Sequence, residues 1–295
     1  MSNTLFIGLG NMGAPMATLH ANAFPTVVFD LSEDAVARVT TSSPATPAGD
    51  LTRLPPGVDT VILMLPTSDH VEAILGGSDG LLSRLTDGAL VIDMGSSEPA
   101  STRALASTAA THGIDYVDAP VSGGVAKAIT GELAIMIGGT ESAVAKAMPH
   151  LEVMGGSLLH VGPAGSGDAA KALNNLVSAS NIAVASEAVA VAELFGIRRQ
   201  TMVDVLNAAT GRSQASEVKF PKHILPGTFA SGFAYDLMLK DMRIAVGLSD
   251  GLDTPIVRSV FEHLREGRSQ LHGAPDHTEI ARLYGLDDNE MENNR

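Results

Sequence analysis

Two polar side chains, Lys171 and Asn175, stand four residues apart in a long Ala-rich stretch, so they share one face if that stretch is a helix. A lysine in an apolar, closed site loses proton affinity and can serve as general acid or base. For Lys171 taken alone, an ordinary solvated helix lysine is the alternative. A second charged pair, Lys240 and Asp241, interrupts another apolar helical stretch, where the alternative is a surface ion pair.

Three predicted strands end in turns that could hold ligands, because ligands of open parallel sheets bind at the carboxyl ends of the strands. Leu65 and Pro66 follow one strand and Ser96 follows the next. The third turn, Ser122-Gly123-Gly124, leaves backbone N–H groups bare for a carboxylate or phosphate, and Ser122 adds a hydroxyl. A plain turn between two strands is the alternative for this third segment.

The first predicted strand runs straight into Gly8-Leu9-Gly10-Asn11-Met12-Gly13, and a second predicted strand ends at Asp30. Gly8 permits a tight turn, Gly10 lets backbone N–H groups approach a phosphate, and Gly13 lets the following helix lie close to the sheet. Asp30 stands where a carboxylate accepts hydrogen bonds from an adenosine ribose. The arrangement predicts a site for a dinucleotide, and a glycine-rich turn that binds nothing is the alternative.

The residues after Asp30 bear on the choice between the two nicotinamide dinucleotides. Positions 31 and 32 are Leu and Ser, so no arginine stands ready there for the 2′-phosphate of NADP. This favours NAD, while Arg38 could reach back, which leaves NADP possible. The nine histidines show no tight metal-ligand spacing, so we expect no metal.

Composition limits the class of protein. The 295 residues are 45% hydrophobic, enough for two domains with a sizeable core. The net charge of −14 repels nucleic acid and anionic membranes, so we expect neither as a partner, and an anionic substrate would need a local positive site. The absence of cysteine excludes disulfides, thiolate nucleophiles and cysteine-ligated metal sites.

The Ala- and Val-rich stretch 175–197 is about long enough to span a bilayer. It contains Asn181, Glu187 and Glu193, which favour a buried helix of a soluble protein over the alternative of a membrane span. The first strand meets its glycine turn by residue 8, so we expect no signal peptide and a cytoplasmic location.

Strand and helix signals alternate over residues 1–162, which predicts right-handed βαβ units in a doubly wound parallel sheet. Residues 155–167 hold five glycines and a proline and indicate a domain boundary. Residues 163–295 are predicted to form a helical second domain, with helices from Asp168 almost to the end of the chain. Their long first helix, from about Asp168 to Phe195, lacks a strong charged face, so either the two domains or a second subunit must cover it. We therefore expect a homodimer or homotetramer.

Four motifs together resemble those of the β-hydroxyacid dehydrogenase family. Residues 8–17 are similar to its N-terminal signature, residues 118–124 to its substrate-binding signature, residues 165–175 to its catalytic signature, and Lys240-Asp241 to its C-terminal one. They occur in the family's order and spacing and cover nearly the whole chain. The resemblance implies an α/β fold with an N-terminal Rossmann domain, a long connecting helix and an all-α C-terminal domain.

The resemblance also implies an activity: reversible oxidation of the hydroxyl of a small anionic 3-hydroxy acid to the semialdehyde or keto acid, with NAD or NADP and no metal. It assigns Lys171 as the general acid and base, and Asn175 to a hydrogen bond with the substrate. It assigns the substrate carboxylate to Ser122, Gly123 and Gly124, and the lining of the cofactor site to Leu65, Pro66, Ser96 and Lys240.

Two residues leave substrate identity open. Lys127 stands where the family usually has glycine, and it either contacts an extra acidic or polar substrate group or points to solvent. Arg212 either reads a distal substrate group or is a surface arginine. An activity like that of 3-hydroxyisobutyrate dehydrogenases is favoured. The alternatives are a tartronate or succinic semialdehyde reductase, a serine- or threonate-type dehydrogenase and, from another class, a non-catalytic dinucleotide sensor.

Overall fold

The computed structural model describes residues 3–287 of the protein. The chain divides between Lys171 and Ala172 into two compact units, which are described separately. The compositional boundary expected after residue 162 lies at the end of a strand of the first unit and stays a prediction. Residues 288–295, the end of the predicted second domain, lie outside the described residues.

The first unit is built on a nine-stranded sheet with the order β3-β2-β1-β4-β5-β6-β8-β7, in which β9 pairs with β8. Strands β1 to β6 pair in parallel, as the alternation of strand and helix signals predicts. The strands are β1 (Asn3–Ile7), β2 (Thr26–Phe29), β3 (Thr46–Pro47), β4 (Val58–Leu63), β5 (Leu90–Asp93), β6 (Asp115–Asp118), β7 (Val121–Ser122), β8 (Leu133–Gly138) and β9 (Gly155–Gly162).

The sheet becomes mixed beyond β6, since β8 runs antiparallel to β6 and β7. Strand β9 pairs in parallel with β8 over most of its length. It occupies the first part of the glycine-rich segment 155–167, which composition alone suggests is a connector. The edge of β8 offers this segment a partner for its backbone groups, and that pairing outweighs the low strand propensity of glycine.

Six helices connect these strands: α1 (Gly13–Ala23), α2 (Glu33–Ser42), α3 (Ser68–Leu75), α4 (Pro99–Thr111), α5 (Gly124–Thr130) and α6 (Glu141–Glu152). They cover both faces of the sheet. Because successive strand side chains point to opposite faces, Phe6 and Ile62 belong to one hydrophobic cluster while Leu5 and Val61 belong to another. This is the Rossmann architecture that the sequence predicts, and it is confirmed.

A single helix, α7 (Ser166–Leu194), begins in the first unit and continues into the second. The second unit is otherwise helical, as predicted, with α8 (Arg199–Ala208), a π-helical segment (Ala215–Ile224), α9 (Tyr235–Leu248), α10 (Pro255–Gly267) and a 3₁₀ segment (His277–Tyr284). Within residues 3–287, α7 is the one helix long and apolar enough to cross a membrane, and half of its most apolar window is buried.

Candidate active site

The glycine turn after β1 has the geometry of an anion cradle. Gly8 adopts φ +95°, and any side chain there would collide with the carbonyl of Met64. A side chain on Gly13 would collide with the carbonyl of Gly8, so the start of α1 packs directly on the turn. A Cβ on Gly10 would meet no protein atom within 4 Å, and the first turn of α1 has no acidic residue. The backbone at Gly10 therefore borders open space just before the N-terminus of α1, where a phosphate would fit.

Asp30, directly after β2, is half-buried and tied to this turn. Its Oδ2 accepts a hydrogen bond from the N–H of Leu9 at 2.6 Å, and its Oδ1 accepts one from the N–H of Ser32 at 2.8 Å. The Asp30 carboxylate thus lies beside the glycine turn, within reach of the adenosine ribose of a dinucleotide whose phosphates bind at that turn. The next side chain, Leu31, is 92% exposed and uncharged. Together with the open space at Gly10, these features fit a dinucleotide.

The other residues predicted to line the cofactor follow neighbouring parallel strands. Leu65 is half-buried and Pro66 is exposed after β4, and Ser96 is half-buried after β5. The Cδ2 atom of Leu65 would lie 3.1 Å from a Cβ on Gly8. Since β1, β4 and β5 are adjacent and parallel, these turns share one edge of the sheet with the glycine turn.

The Ser122-Gly123-Gly124 turn joins β7 to α5. Gly123 and Gly124 have φ values of +134° and +72°, which L side chains rarely adopt, so the turn requires glycine at both positions. Ser122 is half-buried, and the glycines are exposed. The exposed Lys127 crosses this turn, because a Cβ on Gly123 would lie 2.7 Å from its Cδ. A flexible cation therefore accompanies the predicted carboxylate anchor.

Helix α7 carries both Lys171, the predicted general acid and base, and Asn175, the predicted substrate ligand. Lys171 is half-buried at the end of the first unit, one helical turn before Asn175. In the second unit Asn175 is buried, and its Nδ2 donates to Oδ2 of Asp241 at 2.6 Å. The other carboxylate oxygen of Asp241 lies 3.4 Å from Nζ of Lys240. The structure thereby links a predicted substrate ligand, Asn175, with a predicted cofactor ligand, Lys240, through Asp241.

Three buried aspartates, Asp93, Asp118 and Asp168, have no role in the sequence-based interpretation. Burial raises the pKa of Asp93 to about 6, against the hydrogen bonds from Ser97 and Gly95. Burial also raises the pKa of Asp118. The pKa of Asp168 lies well above its usual range because of burial and the two neighbouring carboxyl groups. Two of them end apolar strands, and an acid at such a position is the sequence signal that could have revealed them.

Two family models together match most of the chain. Residues 3–162 match the family model of the NAD binding domain of 6-phosphogluconate dehydrogenase. Residues 165–284 match the model described as the NAD-binding of NADP-dependent 3-hydroxyisobutyrate dehydrogenase. The chain is 37% identical over 282 residues to the 2-(hydroxymethyl)glutarate dehydrogenase of Eubacterium barkeri, covering 95% of this chain and 93% of that protein.

Two further proteins are similar over most of their length. The NAD-dependent L-serine dehydrogenase of Pseudomonas aeruginosa is 37% identical over 257 residues, which covers 83% of this chain and 84% of that one. The solved structure of Mycobacterium tuberculosis 3-hydroxyisobutyrate dehydrogenase with L-serine has a TM-score of 0.87 and 31% identity, and covers 96% of this chain and 98% of that one.

Proposed function

Since this chain belongs to the β-hydroxyacid dehydrogenase family, we propose that it oxidises the hydroxyl of a small 3-hydroxy acid as 3-hydroxyisobutyrate dehydrogenases do. It is an NAD(P)-dependent oxidoreductase that acts on a CH–OH group. The observation that carries the proposed chemistry is the placement of half-buried Lys171 one turn before buried Asn175 on α7. Two polar groups on one face of an apolar helix can position a hydroxyl and move its proton.

The dinucleotide supplies the acceptor for the hydride that leaves the carbinol carbon. The proton of the hydroxyl goes to the neutral amine of Lys171 in oxidation, and the ammonium returns it in reduction. Asn175 already uses one N–H of its amide on Asp241, which fixes the orientation of the side chain. We assign the second N–H of that amide to the substrate. The carboxylate of the substrate binds the N–H groups and hydroxyl of Ser122-Gly123-Gly124, which aims the carbinol carbon.

NAD is the proposed cofactor. The Asp30 carboxylate, held beside the glycine turn by Leu9, accepts hydrogen bonds from a ribose diol but repels a 2′-phosphate. Arg38, exposed on α2, is the residue that would have to compensate that charge if NADP were used. NADP therefore remains the alternative that the experiment includes.

Lys127 supports a second candidate substrate within the class, an acid with two carboxylates. Its side chain crosses the predicted carboxylate anchor at Gly123, whereas the whole chain carries a net charge of −14. A cation at this turn can hold a second acidic group. A hydroxy acid with two carboxylates, such as the 2-(hydroxymethyl)glutarate named for the Eubacterium barkeri relative, is therefore the second candidate beside 3-hydroxyisobutyrate.

The apolar side chains on the outer face of α7 support a homo-oligomer. Leu173, Val177, Val184 and Val191 recur at spacings of four and seven residues and are 46 to 64% exposed. We call these four residues the α7 stripe. A second copy of the chain is the proposed partner, because a self-complementary stripe of this kind packs on itself across a twofold axis. A cytoplasmic location is part of the same proposal and is tested by cell fractionation.

The function is tested by following NADH and NADPH absorbance over a panel of acids with each dinucleotide. The panel holds 3-hydroxyisobutyrate, L-serine, 2-(hydroxymethyl)glutarate and threonate, with tartronate and succinic semialdehydes for the reverse direction. We expect turnover with NAD on 3-hydroxyisobutyrate or 2-(hydroxymethyl)glutarate. Tight NADH binding without turnover of any acid would contradict the proposal and support a dinucleotide sensor.

A further inference from the structure

The start of α7 is held by hydrogen bonds from three other elements of the first unit. Asp118, at the end of β6, accepts the N–H of Gly165 at 2.8 Å and that of Asp168 at 3.0 Å. The carboxyl of Asp168 in turn accepts the N–H of Ser97 at 2.9 Å and the hydroxyl of Thr102 at 2.7 Å. These hydrogen bonds tie the first turn of α7 to β6, to the loop after β5 and to α4.

The residues of this attachment are buried and closely packed. Asp118 and Thr102 have no exposed surface, and Asp168 is 1% exposed. Gly165 adopts φ +84°, and a Cβ there would lie 2.8 Å from the carbonyl oxygen of Pro99. In such a buried environment a hydrogen bond to a carboxyl group gains strength, and losing one partner leaves the other unsatisfied.

Asp168 and its hydrogen-bond donor Ser97 each lie close in sequence to a residue of the proposed site. Lys171 follows Asp168 by three residues, about 4.5 Å along the helix axis and on the same face. Ser97, which donates to Asp168, follows Ser96 of the cofactor-lining loop. Asp168 therefore stands between the predicted proton acceptor and the loop against which the dinucleotide would lie.

We propose that Asp168 is a positioning residue, which fixes Lys171 relative to the Ser96 loop, and that Thr102 orients its carboxyl group. The inference rests on the proposed role of Lys171. A displacement of about 1 Å at a reacting group lowers rates by on the order of a hundredfold, so an anchor one turn away has a large effect.

The energetics of the cluster support a functional reason for Asp168. Burial and the nearby carboxyl groups of Asp93 and Asp118 raise its pKa well above the usual range, so the folded protein stabilises its ionised form poorly. A buried acid of this kind adds little net stability compared with an apolar residue of similar size. Its hydrogen bonds with Ser97 and Thr102 instead define the position of the first turn of α7 within the first unit.

The test uses paired substitutions that differ in hydrogen bonding. Thr102→Val removes the hydroxyl that reaches Asp168 and keeps the shape, while Thr102→Ser keeps the hydroxyl. Asp168→Ala removes both acceptors, while Asp168→Asn keeps an acceptor for Ser97. The matched control is Thr26→Val, which removes another buried hydroxyl of this unit, one that donates to the carbonyl of Phe24 at 2.8 Å.

Rates are measured on the panel acid that the wild type turns over fastest, with dinucleotide affinity from NADH fluorescence and folding from circular dichroism. We expect kcat to fall about tenfold to a hundredfold in Asp168→Ala and at least threefold in Thr102→Val. The substrate KM and the NADH Kd should change less than threefold. Thr102→Ser should recover the rate, and Asp168→Asn should lie between wild type and Asp168→Ala. Thr26→Val should lower the melting temperature only.

Three outcomes would overturn the inference. One is a kcat within threefold of wild type in both Asp168→Ala and Thr102→Val. Another is an equal loss of kcat in Thr26→Val, and the third is a loss confined to KM or Kd. Lys171→Ala is measured in parallel, so that a normal rate there identifies a failure of the proposed function rather than of the positioning role.

Discussion

At the residue scale, Asp30 is the residue that we predict to discriminate between NAD and NADP. Its carboxylate is fixed by the N–H groups of Leu9 and Ser32, so it cannot turn away from a bound ribose without losing both hydrogen bonds. Asp30→Ala should weaken NAD binding about tenfold more than NADP binding, because a hydrogen bond to a charged group contributes roughly 1.5–3 kcal/mol. Isothermal titration with both dinucleotides measures the difference in affinity loss.

The control for Asp30→Ala is Asp34→Ala, which removes an exposed acid in the first turn of α2. Equal losses for NAD and NADP would remove the argument for NAD.

A substitution of Lys127 tests substrate choice, also at the level of a single residue. We expect Lys127→Ala to raise the KM for 2-(hydroxymethyl)glutarate about tenfold and the KM for 3-hydroxyisobutyrate less than threefold, because only the first acid has a second carboxylate to lose a partner. Steady-state kinetics on both acids give the ratio. Lys146→Ala, which removes an exposed lysine paired with Asp115, is the control for net charge. An unchanged ratio of the two KM values would show that Lys127 does not contact the substrate.

At the scale of elements, helices α1 and α6 meet through a pair of histidines, of which His20 is buried and His150 is half-buried. The hydroxyl of Thr26 donates to the carbonyl of Phe24, so it must accept from Nδ1–H of His20. The Nε2 atom of His20 is then the acceptor for Nδ1–H of His150 at 2.9 Å. Burial, followed by the charge of His150, lowers the pKa of His20 to about 3. A proton on His20 would convert this acceptor into a second donor facing His150.

This pair predicts how stability depends on pH. The unfolded chain binds a proton on His20 below about pH 6.5 while the folded chain does not, so the contribution is complete above 6.5 and is lost between 6.5 and 3. We expect His20→Phe to reduce the acid loss of unfolding free energy, measured by urea unfolding from pH 7 to 4. The raised pKa of Asp93 acts in the opposite direction, and the lowered pKa of His150 acts in the same direction as that of His20. Both groups remain in the variant, so the difference between the two pH curves reports the loss of the His20 ring. Parallel pH curves for the two proteins would rule out this role.

The elements also show what sequence could predict and what it could not. The spacing of Gly8 and Gly13 is local, so the turn and the start of α1 follow from it directly. The Ser122-Gly123-Gly124 turn is also a local feature, and its two glycines have positive φ values in the structure. Strand β9 could not be predicted, because its low-propensity residues are stabilised only by the edge of β8. Periodicity reports burial, but not which edge of a sheet will supply a partner.

Long-range hydrogen bonds explain the remaining gaps. Asp118 is hydrogen-bonded to Gly165, and Asn175 is hydrogen-bonded to Asp241. Many residues separate the partners in the sequence, so their pairing depends on the final topology. The sequence motifs contain all four residues, yet only Asn175 received a role from the resemblance. A motif identifies which residue types the chemistry needs, whereas the buried partners that orient them become visible once the chain is folded.

At the scale of the whole molecule, the α7 stripe predicts self-association. Val184→Asp places a charge in the middle of the stripe, where the valine is 59% exposed, and should raise the dissociation constant of the oligomer at least tenfold. Val205→Asp, at a 51% exposed valine on α8, is the matched control and should leave the assembly unchanged. Light scattering coupled to size exclusion gives the mass. A wild-type protein that is monomeric at micromolar concentration, or that sediments with lipid vesicles instead, would contradict this prediction.

The central claim is that the amine of Lys171 takes the proton of the substrate hydroxyl. The most direct measurement compares Lys171→Ala with wild type for turnover, for NADH affinity and for rescue by added methylamine. We expect turnover to fall by about three orders of magnitude or more and NADH affinity to change less than threefold, and we expect methylamine to restore part of the rate as its free-base concentration rises. A variant that keeps a near-normal rate would contradict it.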